Sequence, residues 1–265
     1  MPDWLSVFFL GVIEGVTEFS PVSSTGHLLI AEQWLPRQTD LFNIVIQCGA
    51  VVAVIPLFRA RIKNMLRLDP AGRLYLGKLV VAFGITGAGG LVLDKGGFKL
   101  PEEMLPSAIA LFVVGALFIV VEWWAKDKKL GDEVTWAMAV VVGVAQLVAA
   151  VFPGTSRSGT CILALLVLGL ARPAATEFTF ILGIPTLLAA GAFKIFKALH
   201  HPAPDAPVEN WAMVALGTVV AAVVSFVVVR WLLRFVQSHT FVAFGYYRIA
   251  LAGLVFGYLA FAPTP

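Results

Sequence analysis

Long apolar segments alternate with short polar segments along most of the chain, and this pattern predicts a bundle of membrane-spanning helices. A helix needs about 20 mostly apolar residues to cross the hydrocarbon core of a bilayer. The six predicted spans are about Leu41–Phe58, Gly77–Leu93, Pro106–Trp124, Ala174–Leu199, Trp211–Trp231 and Phe241–Phe261. The predicted fold class is therefore an all-α polytopic membrane protein with about six transmembrane helices.

Two further apolar segments contain a polar break, and each predicts a re-entrant helical hairpin. Leu5–Leu35 and Trp136–Leu170 are too long for one crossing, so each is expected to form two half-helices that meet at a turn. The breaks contain Pro21, Ser23, Ser24 and Gly26 in the first segment, and Pro153, Gly154, Ser156, Arg157 and Ser158 in the second. Irregular backbone at membrane depth is tolerated only inside protein or beside a water-filled cavity, so the breaks predict a cavity.

The composition excludes an ordinary soluble domain. Of the 265 residues, 59% are hydrophobic and 13% are charged, against about 25% charged in an average soluble domain. The net charge of +3 is small, and the basic residues cluster in loops, which is a signal of membrane topology and not of nucleic-acid binding. The expected partners are therefore membrane lipids and no nucleic acid.

The clustered basic residues also predict the orientation of the chain. Loops with an excess of Lys and Arg stay on the cytoplasmic side of a membrane. Arg59–Lys78, Lys126–Lys129 and Arg230–Arg234 are therefore placed in the cytoplasm, and the loops Asp94–Glu103 and His200–Asn210 outside. In this arrangement both termini lie outside and one hairpin enters from each face of the membrane.

The two broken segments resemble each other, which predicts an internal repeat. Gly, Glu or Gln, Pro and Ser recur at the same offsets in Gly11–Ser24 and Gly143–Ser156. We therefore divide a single membrane domain of residues 1–265 into one repeat of about 1–125 and a second of about 132–261. The predicted orientation places the repeats in opposite senses, and inverted repeats of this kind have their site near the midplane, where broken helices meet.

Glu14 and Glu18 are the first candidates for chemistry. They are four residues apart, so both project from one face of the first half-helix. Two carboxylates in an apolar segment are costly without a nearby cation, and oxygen ligands suit Mg²⁺ or Ca²⁺. The sequence predicts a divalent-cation site whose coordination a phosphate substrate completes. The alternative is that both carboxylates face an aqueous vestibule and are only solvated there.

The turn that follows these carboxylates offers hydroxyl groups and a glycine at a predicted helix start. The N–H groups at a helix start point toward an anion, so Ser23, Thr25 and Gly26 are candidate phosphate-binding residues. Plain N-capping by the hydroxyl residues uses the same geometry and is the alternative. His27 is an imidazole within the membrane, beside Ser24 and near two carboxylates, which favours catalysis over a structural role in the core.

The second turn contains an arginine at membrane depth. Arg157 is costly there without an anionic partner, and the planar fork of its guanidinium suits a phosphate. Ser156, Ser158 and Thr160 add hydroxyl donors on the same turn. All four residues are therefore candidate phosphate-binding residues.

A structural salt bridge is the alternative role for Arg157, with Glu14, Glu18 or Glu177 as its partner. Both roles are compatible, because a phosphate can enter an existing ion pair. Glu177 is expected to be buried and to orient Arg157 without touching the substrate. Gln146, which takes the place of Glu14 in the second repeat, has the same expected supporting role.

At these two turns the sequence resembles the undecaprenyl-pyrophosphate phosphatase family, also called bacitracin-resistance proteins. That family carries E-x-x-x-E followed by P-V-S-S-T-G-H, and later P-G-x-S-R-S-x-x-T. The first motif is intact from Glu14 to His27, and the second runs from Pro153 to Cys161. Two positions depart from the family, because Cys161 replaces the final Thr of the second motif and Asn43 stands where a Glu is expected.

The resemblance implies hydrolysis of undecaprenyl diphosphate, a C55 polyprenyl diphosphate, to undecaprenyl phosphate and inorganic phosphate. This reaction recycles the lipid carrier for peptidoglycan and other envelope polymers and confers tolerance to bacitracin. The resemblance also implies a bacterial inner (plasma) membrane protein with its active site facing the outer side. A homodimer is a further expectation. The competing class is a transporter or flippase of a polyprenyl phosphate lipid that works without hydrolysis.

Phosphoryl transfer depends mainly on positioning and charge neutralisation, which suggests a role for each candidate residue. Arg157 and a divalent ion on Glu14 and Glu18 would hold the diphosphate. Ser24 is the predicted nucleophile or orienting hydroxyl, with His27 as its general base and later as the acid for a leaving oxygen. Direct attack by His27, or by a water that His27 activates, is the open alternative. Glu18, Ser24, His27 and Arg157 are thus the predicted catalytic residues.

Overall fold

The computed structural model describes residues 3–67, 69–98, 103–200 and 210–261. Within them the regular structure is helical, apart from one isolated β-bridge between Gly131 and Leu170. The helices are α1 (Asp3–Thr17), α2 (Ser24–Ala31), α3 (Asp40–Val54), α4 (Arg59–Leu66), α5 (Pro70–Lys95), α6 (Met104–Ala125), α7 (Trp136–Val151), α8 (Arg157–Val167), α9 (Arg172–His200), α10 (Trp211–Phe235) and α11 (Val242–Phe261). The predicted all-α class is therefore confirmed.

Six helical segments in the described part of the chain are long and apolar enough to cross a membrane, which confirms the predicted number of spans. They are Asp40–Leu66, Pro70–Lys95, Met104–Ala125, Arg172–Ala198, Trp211–Phe235 and Val242–Phe261. The first span extends beyond its predicted end at Phe58. The chain forms a 3-10 turn at Ile55–Phe58 and then continues as α4. Pro56 lies in the first turn of the 3-10 element, where a backbone N–H is not needed, so it does not end the span.

The two loops predicted to face outside are covered only in part, because residues 99–102 and 201–209 lie outside the described residues. The helix ends beside them are joined by a salt bridge. Lys197 of α9 donates to Asp94 of α5, with 3.2 Å between nitrogen and oxygen. This exposed pair links the ends of α5 and α9 but adds little to stability.

Both broken segments form a pair of short helices joined by a polar turn. The longest of the four, α7, has 16 residues and a length of about 24 Å, less than the ~30 Å hydrocarbon core. The second helix of each pair begins after a serine with positive φ, Ser23 at 76° and Ser156 at 71°. The two serine side chains cap α2 and α8 by accepting hydrogen bonds from the N–H groups of Gly26 and Gly159.

The first helix of the first pair, α1, lies parallel to the full span α10. Gly11 packs against the backbone at Gly217, and Gly15 against the backbone at Ala221. A Cβ atom would lie 2.8 Å from the Gly217 oxygen at Gly11 and 2.7 Å from the Ala221 oxygen at Gly15. These positions therefore need glycine for the close approach of the two helices.

The first helix of the second pair, α7, lies parallel to α5 in a similar manner. Trp136 packs over Gly77 near the start of both helices, and Gly143 packs against the backbone at Ala82 further along. Each short helix is thus supported by a span from the other half of the chain, because α10 supports α1 and α5 supports α7.

A buried ion pair joins three elements at the end of the bundle that carries the basic loops. The Arg172 guanidinium at the start of α9 donates to the Glu122 carboxylate of α6, with Nε 2.9 Å from both oxygens. Glu122 also accepts the backbone N–H of Phe241, just before α11, at 2.9 Å. The fully buried carboxylate is therefore paired and hydrogen-bonded, which buried charge requires.

Helices α6 and α11 meet through Gly115 and Gly245. A Cβ atom on Gly245 would lie 2.7 Å from the Gly115 oxygen. We expect Gly245→Ala to push the helices apart and to lower the free energy of unfolding by about 1–3 kcal/mol. The measurement is the midpoint of thermal unfolding in detergent. Gly253→Ala is the matched control on the same helix, because no atom lies within 4 Å of a Cβ there. Equal midpoints for the two variants would contradict this packing.

Candidate active site

The two polar turns lie against each other. The Ser158 hydroxyl at the start of α8 donates a hydrogen bond to the Ser20 carbonyl in the first turn, with 3.2 Å between the oxygens. Beside this contact, the ring of Phe19 packs edge-on against Phe180 of α9, with centroids 5.1 Å apart. The polar residues of two segments that are distant in sequence are thereby brought to one place.

Arg248 of α11 holds the two turns together. Its guanidinium is fully buried and donates to the Pro21 carbonyl in the first turn at 3.0 Å. It also donates to the carbonyls of Gly154 and Thr155 in the second turn, at 2.7 and 3.0 Å. A fourth bond, to Leu111 of α6, is 3.4 Å long. The sequence analysis gave Arg248 no role, although the cost of an arginine inside an apolar span was a signal that could have identified it.

A chain of charged and polar groups runs from the first turn to the second. The Ser24 hydroxyl donates to Oε2 of Glu18 at 2.7 Å. The other carboxylate oxygen of Glu18 accepts a bond from Nη2 of Arg157 at 3.3 Å. The salt bridge to Glu18, one of the three expected for Arg157, is therefore formed. All three side chains are largely buried, so these interactions are little screened by water.

Arg157 keeps unused donors beside this pair. Its Nε and Nη1 atoms are buried and have no hydrogen-bond partner among the described residues. The guanidinium lies against Gly183 of α9, where a Cβ atom would be only 2.9 Å from Cζ. A side chain at Gly183 would therefore displace the guanidinium. Arg157 is held in a protein-lined position with N–H groups still available to an anion.

Among the residues that the structure describes, the carboxylate oxygens of Glu14 lack hydrogen-bond donors, whereas the free N–H groups of Arg157 lack acceptors. The carboxylate is fully buried, and neither oxygen has a hydrogen-bond partner within the described ranges. It lies one helical turn before Glu18, whose carboxylate is the charged group that acts on it most strongly. Two carboxylates on one buried helix face repel each other, so a cation between them would be stabilised.

The donor set fits a hard divalent cation only in part. The unpartnered oxygens of Glu14, with Glu18 beside them, suit Mg²⁺ or Ca²⁺. No group of three or more His, Cys, Asp or Glu side chains with ligand geometry occurs in the described part of the chain. Water and substrate oxygens would have to complete the shell, as is common for Mg²⁺ with phosphate substrates.

His27 contacts different partners from those expected. Its Nδ1 lies 2.7 Å from the Ser23 carbonyl oxygen, and its Nε2 lies 2.7 Å from the Tyr247 hydroxyl. Neither ring nitrogen bonds to Ser24, so the predicted contact between His27 and the Ser24 hydroxyl is not formed. The physical reason is local, because the imidazole folds back onto the carbonyl four residues earlier while Ser24 turns to Glu18. The sequence analysis did not identify Tyr247 as a partner.

Most hydroxyl groups of the predicted phosphate cradle are bonded within the turns. Ser156 and Ser158 are 3.1 Å apart, and Thr160 donates to the Ser156 carbonyl at 2.9 Å. Ser23 accepts from Gly26, as the N-capping alternative predicts, and Thr25 is exposed. Besides Nε and Nη1 of Arg157, the donors that remain for an anion are those N–H groups at the starts of α2 and α8 that the capping serines do not bond.

Neither of the two predicted supporting residues forms a hydrogen bond with Arg157. Glu177 forms a salt bridge with Arg61 of α4, and a third of its side chain is exposed, so the expectation of a buried partner for Arg157 was wrong. Gly183, which touches Arg157, is six residues further along α9, or about 9 Å. Gln146 donates to the Thr86 hydroxyl at 2.8 Å and so joins α7 to α5.

The two departures from the family pattern are both accommodated at helix contacts. Asn43 of α3 donates to Glu32, at the end of α2, over 3.5 Å. Cys161 is fully buried where α8 meets α7, with Sγ 4.0 Å from the Val142 carbonyl oxygen. Neither side chain bonds to Ser24, Glu18 or Arg157.

Comparison with known proteins gives a consistent result over nearly the whole chain. The family model described as bacitracin resistance protein BacA matches residues 7–254. An undecaprenyl-diphosphatase from Rhizobium johnstonii is 46% identical over 97% of this chain and 98% of its own length. Proteins of the same name from Xanthomonas axonopodis pv. citri and Xylella fastidiosa are each 45% identical, over 95% and 96% of this chain and 95% and 98% of their own lengths.

Removal of the Arg248 guanidinium should loosen both turns. In Arg248→Met four carbonyl groups lose their donor, so we expect the free energy of unfolding to fall by about 2–4 kcal/mol. Arg230→Met, at an exposed position of α10, is the matched control and should change stability by less than about 0.5 kcal/mol. Thermal unfolding in detergent measures both, and a similar midpoint for the two variants would show that Arg248 does not hold the turns.

Proposed function

The chain belongs to the bacitracin resistance protein BacA family, and we infer that it is an enzyme that hydrolyses undecaprenyl diphosphate to undecaprenyl phosphate and inorganic phosphate. The reaction breaks the anhydride bond of the diphosphate and leaves the lipid tail in the membrane. It recycles the lipid carrier for peptidoglycan and other envelope polymers. Because bacitracin acts by sequestering the diphosphate, the same reaction confers tolerance to it.

The observation that carries this function is the buried cluster of Arg157, Glu18 and Ser24. Arg157 has free N–H groups for a phosphate, because only its Nη2 atom bonds to Glu18. Ser24 is a hydroxyl held by a carboxylate that can accept its proton. Transport without hydrolysis does not require a nucleophile paired with a base, so this cluster favours the enzyme.

The contacts support a two-step reaction through a phosphoserine. Ser24 Oγ attacks the terminal phosphorus while Glu18 accepts the hydroxyl proton, and the bond from phosphorus to the bridging oxygen breaks. Undecaprenyl phosphate leaves. Water then attacks the phosphorus and gives a proton to Nε2 of His27 while the bond from phosphorus to Ser24 Oγ breaks. Glu18 returns its proton to Ser24 Oγ, inorganic phosphate leaves, and His27 releases its proton to water. Glu18, at 2.7 Å from the hydroxyl, thus takes the role of general base that the sequence analysis gave to His27.

Arg157 would bind the terminal phosphate and stabilise the charge that develops during transfer. Its position follows from the salt bridge to Glu18 and from the space at Gly183. The first N–H groups of α2 and α8 would add fixed donors without any reorganisation. Both turns would therefore contribute to binding, one mainly through its hydroxyl and the other mainly through its guanidinium.

We extend the proposal to a divalent cation, Mg²⁺ or Ca²⁺, held mainly by Glu14. When bound, such a cation would neutralise charge on the diphosphate. Glu18 would contribute less, because its two oxygens already accept bonds from Ser24 and Arg157. The buried and unpartnered oxygens of Glu14 support this assignment.

We also propose that the active site faces the outer side of the bacterial inner membrane, that both termini lie outside, and that the two short pairs are re-entrant hairpins of an inverted repeat. The support is the packing of α1 parallel to α10 and of α7 parallel to α5. Under the orientation predicted from basic loops, α10 and α5 start on opposite sides, so the hairpins would enter from opposite faces. A homodimer stays a prediction.

Ser24→Ala should abolish the reaction. We expect phosphate release from undecaprenyl diphosphate by purified protein in detergent to fall by about 100-fold or more, because the nucleophile is missing. Ser20→Ala is the matched control, since that buried hydroxyl of the first turn donates only to the Val16 carbonyl at the end of α1. Substrate labelled at the terminal phosphorus, quenched during turnover, should leave label on Ser24, and label on another residue would refute this nucleophile.

Removal of divalent cations with EDTA should stop phosphate release, and Mg²⁺ or Ca²⁺ should restore it. In Glu14→Gln we expect restoration to require at least about tenfold more cation, because one negative ligand is lost. Thermal unfolding without substrate gives a second measurement, since a cation that binds the folded protein raises the midpoint. Full activity in EDTA, with no change of midpoint on adding either cation, would exclude the cation site.

A further inference from the structure

We propose that Tyr247 is a positioning residue that holds His27 in one tautomer and one orientation, with Nε2 directed to α11 and away from Ser24. The kinetic consequences rest on the proposed diphosphatase function, whereas the geometry does not. The proposal starts from the pair of 2.7 Å contacts that His27 makes with Ser23 and Tyr247.

The tautomer follows from the nature of the partners. The Ser23 carbonyl oxygen can only accept, so Nδ1 of His27 carries the hydrogen and donates it. In the neutral ring Nε2 is then an acceptor, and the Tyr247 hydroxyl donates to it. The two rings are nearly parallel, at an angle of 4° with centroids 5.7 Å apart, so contact between the rings also fixes the plane of the imidazole.

This arrangement separates two proton acceptors in the site. Glu18 accepts the hydrogen bond from the Ser24 hydroxyl, whereas Nε2 of His27 accepts the hydrogen bond from the Tyr247 hydroxyl. A water or phosphate group that reaches Nε2 has to replace the phenol hydroxyl, and it then finds the ring already aligned. Tyr247 is about half exposed, so its hydroxyl has room to move aside when this exchange takes place.

The neighbouring residue fixes the position of Tyr247 along α11. Arg248 is bonded to Pro21 of the first turn and to two carbonyls of the second, so α11 cannot slide relative to the turns. Tyr247 and Arg248 thus act on the first turn from adjacent positions, one through His27 and the other through the backbone. Tyr246, by contrast, is 62% exposed and bonds to none of the site residues.

The spectroscopic test compares Tyr247→Phe with Tyr246→Phe in protein labelled with ¹⁵N-histidine. The chain has four histidines, and His27→Gln identifies the signal of His27. We expect the wild-type ring to show the Nδ1–H tautomer. In Tyr247→Phe the Nε2 resonance should move downfield, because the hydroxyl donor is lost, and in Tyr246→Phe it should stay. An unchanged Nε2 resonance in Tyr247→Phe, or an Nε2–H tautomer in the wild type, would overturn the proposal.

The kinetic test separates positioning from general stability. We expect Tyr247→Phe to lower kcat about 5- to 10-fold, the equivalent of one hydrogen bond, with KM within about twofold. In the His27→Gln background the same substitution should have no further effect, because its target is gone. An equal loss in both backgrounds would mean that Tyr247 acts on the fold and not through His27. Wild-type protein without phosphatase activity would refute the proposed function, while the histidine spectra would still decide the geometry.

Discussion

The structure depends on one buried cation, the guanidinium of Arg248, whose hydrogen-bond partners in the described part of the chain are all carbonyl oxygens. The guanidinium of Arg248 needs several acceptors at membrane depth, and it finds them in two turns and in α6. The same requirement acts in reverse, because carbonyl groups in irregular backbone need donors that lipid cannot supply. The guanidinium of Arg248 and the carbonyl groups of the two turns therefore satisfy each other's hydrogen-bonding requirements. Interrupted helices are therefore tolerated here, and the polar side chains at their ends are free for chemistry.

The two turns are related in construction but differ in what they contribute. Ser23 and Ser156 have the same positive φ and cap their helices in the same way, which directs helix starts toward a common place. The first turn then supplies Ser24 with its carboxylate partner, and the second supplies Arg157. Neither half of the chain contains both the Ser24–Glu18 pair and Arg157. The proposed site therefore needs both halves, although each half forms its turn by the same local means.

The spans, the two breaks and the candidates Glu14, Glu18, Ser24 and Arg157 could be predicted from sequence, because each rests on a local pattern, whereas Tyr247 and Arg248 were missed. Apolar length identifies a span, and Glu18 or Arg157 inside an apolar segment is costly enough to be noticed. The pairing of side chains could not be predicted, since it depends on the relative rotation of helices. His27 was expected at Ser24 and lies against Tyr247, and Glu177 was expected at Arg157 and lies against Arg61. Both errors concern partners that are far apart in sequence.

The position of Arg248 in the chain also determines when the site can exist during synthesis. Its acceptors lie at Pro21, Leu111, Gly154 and Thr155, all of which leave the ribosome well before α11. Until α11 inserts, the carbonyl groups of both turns lack this donor, and the nascent protein has an incomplete catalytic centre. Insertion of α11 is therefore the step that completes the assembly, and a chain arrested before it would have its first five spans in the membrane but no donor to hold the two turns.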